Sequence, residues 1–181
     1  MAAYDIRIIG DPVLREVAAE VTDIDGTLVK VAEGMVDAMY DHDGLAVAAP
    51  QVGVRKRIVV YQLPEDPEPL TIVNPRIQEV GDDEWLYSEG CLSIPGLYWD
   101  IVRPKTVHVV GVDLDGNDVS IEADELAARM YQHEIDHLDG VLMTERLDDD
   151  QQAEAKKAVR ELLEARSAAV DEGGRLRRLL R

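Results

Sequence analysis

The sequence predicts an α+β fold: antiparallel strands packed around a central metal-binding helix, with further helices towards the N- and C-termini. Three observations carry this reading. In "TVHVVGVDLDGNDVSIEA", two alternating apolar runs flank Asp115-Gly116-Asn117, a strong hairpin signal. "RIVVYQL" from Arg57 and "LTIVNPRIQEV" from Leu70 are rich in β-branched residues and are separated by the turn-forming "PEDPEP". In "MYQHEIDHLDG", two histidines recur at the spacing His-Glu-x-x-His, which puts both on one face of a helix within reach of one metal ion.

Taken in order, "YDIRIIGDPVL" reads as a short extended segment ending at a proline turn. From Thr27 to Asp41, Leu28, Val31, Met35, Val36 and Met39 recur at helical spacing, with Gly44 just beyond as a stop. The two β-branched runs and the Asp-Gly-Asn hairpin follow. "ADELAARMYQHEIDHLDG" then reads as a helix of about four turns, from a capping Asp124 to Gly140. Along it Leu126, Met130, His133 and His137 share the face turned to a core or a pocket. A last helix is expected from about Asp148 to Val170, and after Gly173-Gly174 the chain reads "RLRRLLR". These elements predict a single catalytic domain over residues 1–170 and a basic tail over 171–181.

At 181 residues the chain is of single-domain size. No apolar run approaches the roughly 20 residues needed to span a bilayer. The first residues show no signal or transit peptide pattern, which predicts a cytoplasmic protein. A formal net charge of -18 disfavours a broad nucleic-acid surface, and DNA is not an expected partner. The single cysteine, Cys91, cannot form an internal disulfide, so its thiol is open to other chemistry or to plain burial.

A catalytic site for one metal ion normally takes three protein ligands and keeps one position open. His133 and His137 supply two, and Glu134 between them is placed to act as general base and then acid. The third ligand is a downstream carboxylate, Glu145, as in a metallopeptidase, or a thiolate. Cys91 in "EGCLSIPG" is the better candidate, because a thiolate beside a cation is favoured and Gly90 permits a tight local backbone.

Three separated stretches, "GLAVAAPQVG" from Gly44, "EGCLS" from Glu89 and "QHEIDHLDG" from Gln132, resemble in order and spacing the signature motifs of bacterial peptide deformylases. The resemblance spans nearly the whole chain, including Arg103-Pro104 and the hairpin before the histidine helix. It implies hydrolysis of the formyl group from the N-terminal formylmethionine of nascent polypeptides, with release of formate. Cys91, His133 and His137 would hold one divalent metal, Fe(2+) natively, with Zn(2+), Ni(2+) or Co(2+) as replacements. Glu134 would move the proton, and the side-chain amide of Gln51 with the backbone N–H of Leu92 would face the carbonyl oxygen. The peptide would run past Gly44, Leu45, Ala46 and Gly90, and the methionine side chain would lie among Leu45, Tyr87, Leu126, Met130 and His133.

Two positions depart from the family pattern. Ala46 stands where a second glycine is usual and adds a Cβ beside the peptide path. Arg129, where the family is often apolar, is expected near the pocket rim, snorkelling to solvent or meeting groups downstream of methionine. Glu89 and Arg103 are a candidate pair steadying the cysteine segment. The basic tail resembles extensions through which some members approach the ribosome. Two other functions fit these features: a metallopeptidase with a carboxylate ligand, and a non-catalytic paralogue that binds nascent chains or ribosomes.

Overall fold

The computed structural model describes residues 4–179, with side chains over 4–168. By internal contacts the chain divides into two compact units, Met1–Arg146 and Leu147–Arg181. In the first, α1 (Gly26–Asp41) is followed by β1 (Ala46–Ala48), β2 (Ile58–Tyr61), β3 (Leu70–Val80), β4 (Glu84–Cys91), β5 (Ile94–Pro104), β6 (Thr106–Val112), β7 (Asp118–Asp124) and α2 (Glu125–Leu138). Among the described residues, no helix is long and apolar enough to cross a membrane.

Five strands form an antiparallel sheet in the order β1-β2-β3-β6-β7. Its side chains alternate between two cores. Val47, Ile58, Val60 and Val73 pack with Leu28, Met35 and Met39 of α1, while Ala46, Ala48, Val59, Ile72 and Val109 pack with Tyr131, Ile135 and Leu138 of α2. The period of two along each strand thus separates one helix from the other. Asn74-Pro75 falls where the β3–β6 register slips, as expected of a proline within a strand. The Asn74 side chain accepts from Val21 N–H at 2.8 Å and donates to Val21 C=O at 2.9 Å, fixing the segment that leads into α1.

The Asp25 side chain caps α1, accepting from the N–H groups of Thr27 and Leu28 at 2.9 Å each. At its other end Asp43, not Gly44, takes the left-handed conformation, with φ 52°, and Gly44 N–H closes the turn on Met39 C=O at 2.8 Å. The leading segment forms no strand among the described residues. Its backbone instead binds two turns: Arg7 N–H donates to Gln51 C=O at 2.6 Å and Ile9 N–H to Ser93 C=O at 2.8 Å.

β4 and β5 form a separate two-stranded ribbon. Pairing runs regularly from Glu84↔Pro104 to Gly90↔Tyr98, then slips so that Cys91 faces Ile94. Pro95, Gly96 and Leu97 are left unpaired in the ladder by that slip. A Cβ on Gly90 would lie 2.4 Å from the Tyr98 ring, so this ring lies over the glycine backbone.

The helical spacing predicts one inward stripe on α2, but every residue from Ala128 to Leu138 is buried, including Arg129, Gln132, Glu134 and Asp136. Asp124 holds the N-cap position without a side-chain capping bond. In the second unit, α3 (Asp149–Leu179) continues through Gly173-Gly174 beyond the expected end at Val170. Asp148 and Gln151 cap it reciprocally. The side chains of the basic tail lie outside the described residues.

Candidate metal centre

Cys91 closes β4, and α2 carries His133 and His137 one turn apart. One donor atom from each lies within 4.8 Å of the others. Cys91 Sγ is 3.2 Å from His137 Nε2, and the two imidazoles meet edge to face with centroids 4.9 Å apart. His133 Nδ1 lies 2.7 Å from Glu89 Oε1, which leaves Nε2 as its free donor.

Burial alone would raise the Cys91 thiol, but the attraction of His137 and then His133 holds it well below the ordinary range. Burial would lower His133, yet the Cys91 sulfur and then Glu89 hold it well above. A thiol and two imidazoles brought together in this way form a preformed donor set, in which a divalent cation would supply positive charge beside the sulfur. The donor chemistry and spacing suit a single metal ion.

Burial raises the pKa of Glu134, against the pull of His133 and then His137. Its Oε2 is buried without a hydrogen-bond partner among the described residues, so one carboxylate oxygen is left for a proton or a water. Gln51 sits in the turn Ala49–Val52. Its Oε1 accepts from Ala48 N–H at 2.8 Å, which turns Nε2 towards Ser93 Oγ at 3.3 Å and Cys91 Sγ at 3.6 Å. Leu92 follows Cys91 in the turn between β4 and β5.

Glu89 is buried and receives four donors. Arg103 Nε and the Arg129 terminal nitrogen reach Oε2 at 2.8 and 2.9 Å; the second Arg103 nitrogen and His133 Nδ1 each reach Oε1 at 2.7 Å. Burial opposes ionisation, but Arg103 and then His133 hold Glu89 far below the usual carboxylate range. Arg103 also donates to Asp136 at 2.8 Å, and Arg146 binds the same carboxylate. This buried charge network explains how α2 carries polar residues on all sides.

A cavity of about 440 Å³ opens beside these groups. Gly44, Leu45 and Ala46 line one side, Tyr87 and Gly90 come from the ribbon, and Leu126, Arg129 and Met130 come from α2. Gln51, Glu89, Cys91, Leu92, His133 and Glu134 also reach it, whereas Arg103 and His137 do not line it. Arg129 does not snorkel to solvent: it is 4% exposed, and both terminal nitrogens are hydrogen-bonded. Glu145 is committed elsewhere, to the Arg15 guanidinium and to Leu142 N–H, and is not among the clustered donors.

Ser93, Asp136, Arg146 and Trp85 are parts of the site that the sequence reading did not single out. Ser93 lies inside the quoted "EGCLSIPG" and Asp136 inside "QHEIDHLDG", so their proximity to ligands was the available signal. Nothing in the sequence marks Arg146 or Trp85.

Residues 3–153 match the family model described as polypeptide deformylase. The chain is similar to a peptide deformylase of Carboxydothermus hydrogenoformans, 43% identical over 148 residues, covering 82% of this chain and 95% of that protein. Its fold is similar to the crystal structure of a peptide deformylase from Legionella pneumophila, with TM-score 0.85 and 34% identity over 92% of this chain and 98% of that one. It is also similar to a peptide deformylase from Synechococcus elongatus solved in complex with actinonin, with TM-score 0.80 and 40% identity over 91% and 86% of the two chains. With the match spanning the cavity, the cysteine ribbon and the histidine helix together, the chain belongs to the polypeptide deformylase family.

Proposed function

We propose that this protein hydrolyses the formyl amide at the N-terminal formylmethionine of nascent polypeptides, releasing formate and a free amine. The observation that carries this reading is the Cys91-His133-His137 donor set beside a buried Glu134 with one unpartnered oxygen, all at the wall of an open cavity. Cys91, His133 and His137 would hold the metal, Fe(2+) by the family resemblance. When bound, a divalent ion supplies Lewis acidity towards water and the formyl carbonyl.

The residues divide the remaining work. Glu134 takes a proton from the attacking water and returns it to the leaving nitrogen, so the amine departs neutral before it is protonated by solvent. Gln51 Nε2, oriented through Ala48, and the backbone N–H of Leu92 face the oxygen on which negative charge develops. The peptide runs in extended form past Gly44, Leu45, Ala46 and Gly90, which reads main chain and tolerates many sequences. Leu45, Tyr87, Leu126, Met130 and His133 surround the methionine side chain. Ala46 narrows the peptide path by one methyl group.

The arginines of the C-terminal tail are suited to phosphate contact at the ribosome, where nascent chains emerge in the cytoplasm. The metallopeptidase alternative has no comparable support, since Glu145 is held by Arg15.

The test is formate release from formyl-Met-Ala-Ser by an anaerobic, iron-loaded sample whose metal content is measured in parallel. Release with about one metal per chain is expected. A metal-loaded, folded sample that releases no formate overturns the enzyme reading.

A further inference from the structure

Among the described residues, Arg129 is the one buried cation lining the cavity whose role the proposed chemistry leaves open, and its contacts reach two structures at once. One terminal nitrogen donates to Glu89 Oε2 at 2.9 Å. The other donates to Trp85 C=O at 2.7 Å and to Ile101 C=O at 3.0 Å, carbonyls on the two different strands of the ribbon. The guanidinium carbon also lies 5.2 Å from the Trp85 ring centroid and 5.8 Å from that of Tyr87. Those rings stack on each other at 4.5 Å, and Tyr87 lines the cavity.

We propose that Arg129 is a positioning residue that couples the methionine pocket to the metal centre, fixing the Tyr87 wall through the ribbon and the His133 imidazole through Glu89. The inference rests on the reading of His133 as a ligand. Each Glu89 oxygen accepts two donors, so the carboxylate has a single orientation, and His133 Nδ1 is held by it. Without Arg129, Oε2 keeps only Arg103 Nε, and the carboxylate gains freedom to turn. The same loss frees the carbonyls of Trp85 and Ile101 and removes the charge over the stacked rings. Lysine cannot replace these contacts, because one ammonium lacks the planar fork that spans two strands and a carboxylate.

The test uses Arg129→Lys and Arg129→Met in the full chain, with folding checked by circular dichroism. Zn(2+) affinity is measured by competition with a chromogenic chelator, and kcat and KM are measured for formyl-Met-Ala-Ser and formyl-Ala-Ala-Ser. In both variants, metal affinity is expected to fall about 10–100-fold, as for other partners of metal-bound histidines. The preference for methionine over alanine is expected to narrow mainly through KM. If Arg129→Met does not fold, Arg129→Lys decides alone. A folded variant with wild-type metal affinity, or with unchanged preference, overturns the proposal. Cys91→Ser separates the two readings: if it keeps wild-type affinity, the ligand assignment itself fails; if it loses affinity while Arg129→Lys does not, only the coupling fails.

Discussion

The two hairpins β4–β5 and β6–β7 are both antiparallel yet serve opposite ends. β6–β7 pairs without interruption from Thr106↔Asp124 to Val112↔Asp118, around a turn in which Asp113 accepts from the N–H groups of Asp115 and Asn117. β4–β5 keeps register only as far as Gly90↔Tyr98 and then slips. The regular hairpin contributes Val107 and Val109 to an apolar core, whereas the slipped one turns Glu89 and Arg103 inward and ends on Cys91. Regularity here supports the scaffold, and the break in regularity brings Cys91 against His137.

The largest effects should follow changes at the slipped end and at the α2 residues it meets. Glu134→Gln, on α2, is expected to lower kcat by about 10²–10⁴-fold with metal content unchanged, as read by formate release and metal analysis. Cys91→Ser should cost more metal affinity than the about 10–100-fold expected for an outer partner, whereas substitutions in the β6–β7 turn should leave it intact.

Next comes Arg103→Met, which leaves Glu89 and Asp136 short of donors. Breaking such a buried pair costs about 3–5 kcal/mol, measurable by urea unfolding. Glu89 has its pKa depressed from 4.5, so its ionised form stabilises the fold above that value. That stabilisation is lost as pH falls below it. The gap between wild type and Arg103→Met should therefore narrow in acid.

Gly90→Ala places a methyl group 2.4 Å from the Tyr98 ring. An overpacking cost of about 1–3 kcal/mol is expected, visible as a lowered Tm, together with weaker metal binding if the slip moves. The smallest effect belongs to Asn117→Ala, which removes a 2.9 Å bond to Asp113 in the exposed turn. It should shift the unfolding midpoint least and leave kcat/KM unchanged. An activity loss there would break the contrast between the hairpins.

The contrast also explains what the sequence could reveal. β6–β7 was legible because alternating apolar residues and Asp115-Gly116-Asn117 follow the rules of a half-buried hairpin. β4–β5 carries no such strand signal, because its pattern is inverted. Leu86 and Val102, cross-strand neighbours, are 60% and 50% exposed, while Glu89 and Arg103 are buried. The ligand candidates were legible as motifs. The burial of Arg129, Gln132 and Asp136 was not, because polar residues look like a solvent face until partners 28 to 44 positions away are known. The extension of α3 through two glycines likewise runs against local propensity.

The backbone bonds from Arg7 to Gln51 and from Ile9 to Ser93 have a practical consequence for mutational libraries. Proline removes the backbone donor, so Arg7→Pro or Ile9→Pro would unfasten the Gln51 turn or the cysteine turn. A library screened for activity should therefore score positions 7 and 9 as sensitive to proline, position 9 also to loss of the apolar side chain that packs on Val13, Leu14 and Leu142, in a segment remote in sequence from every reacting group.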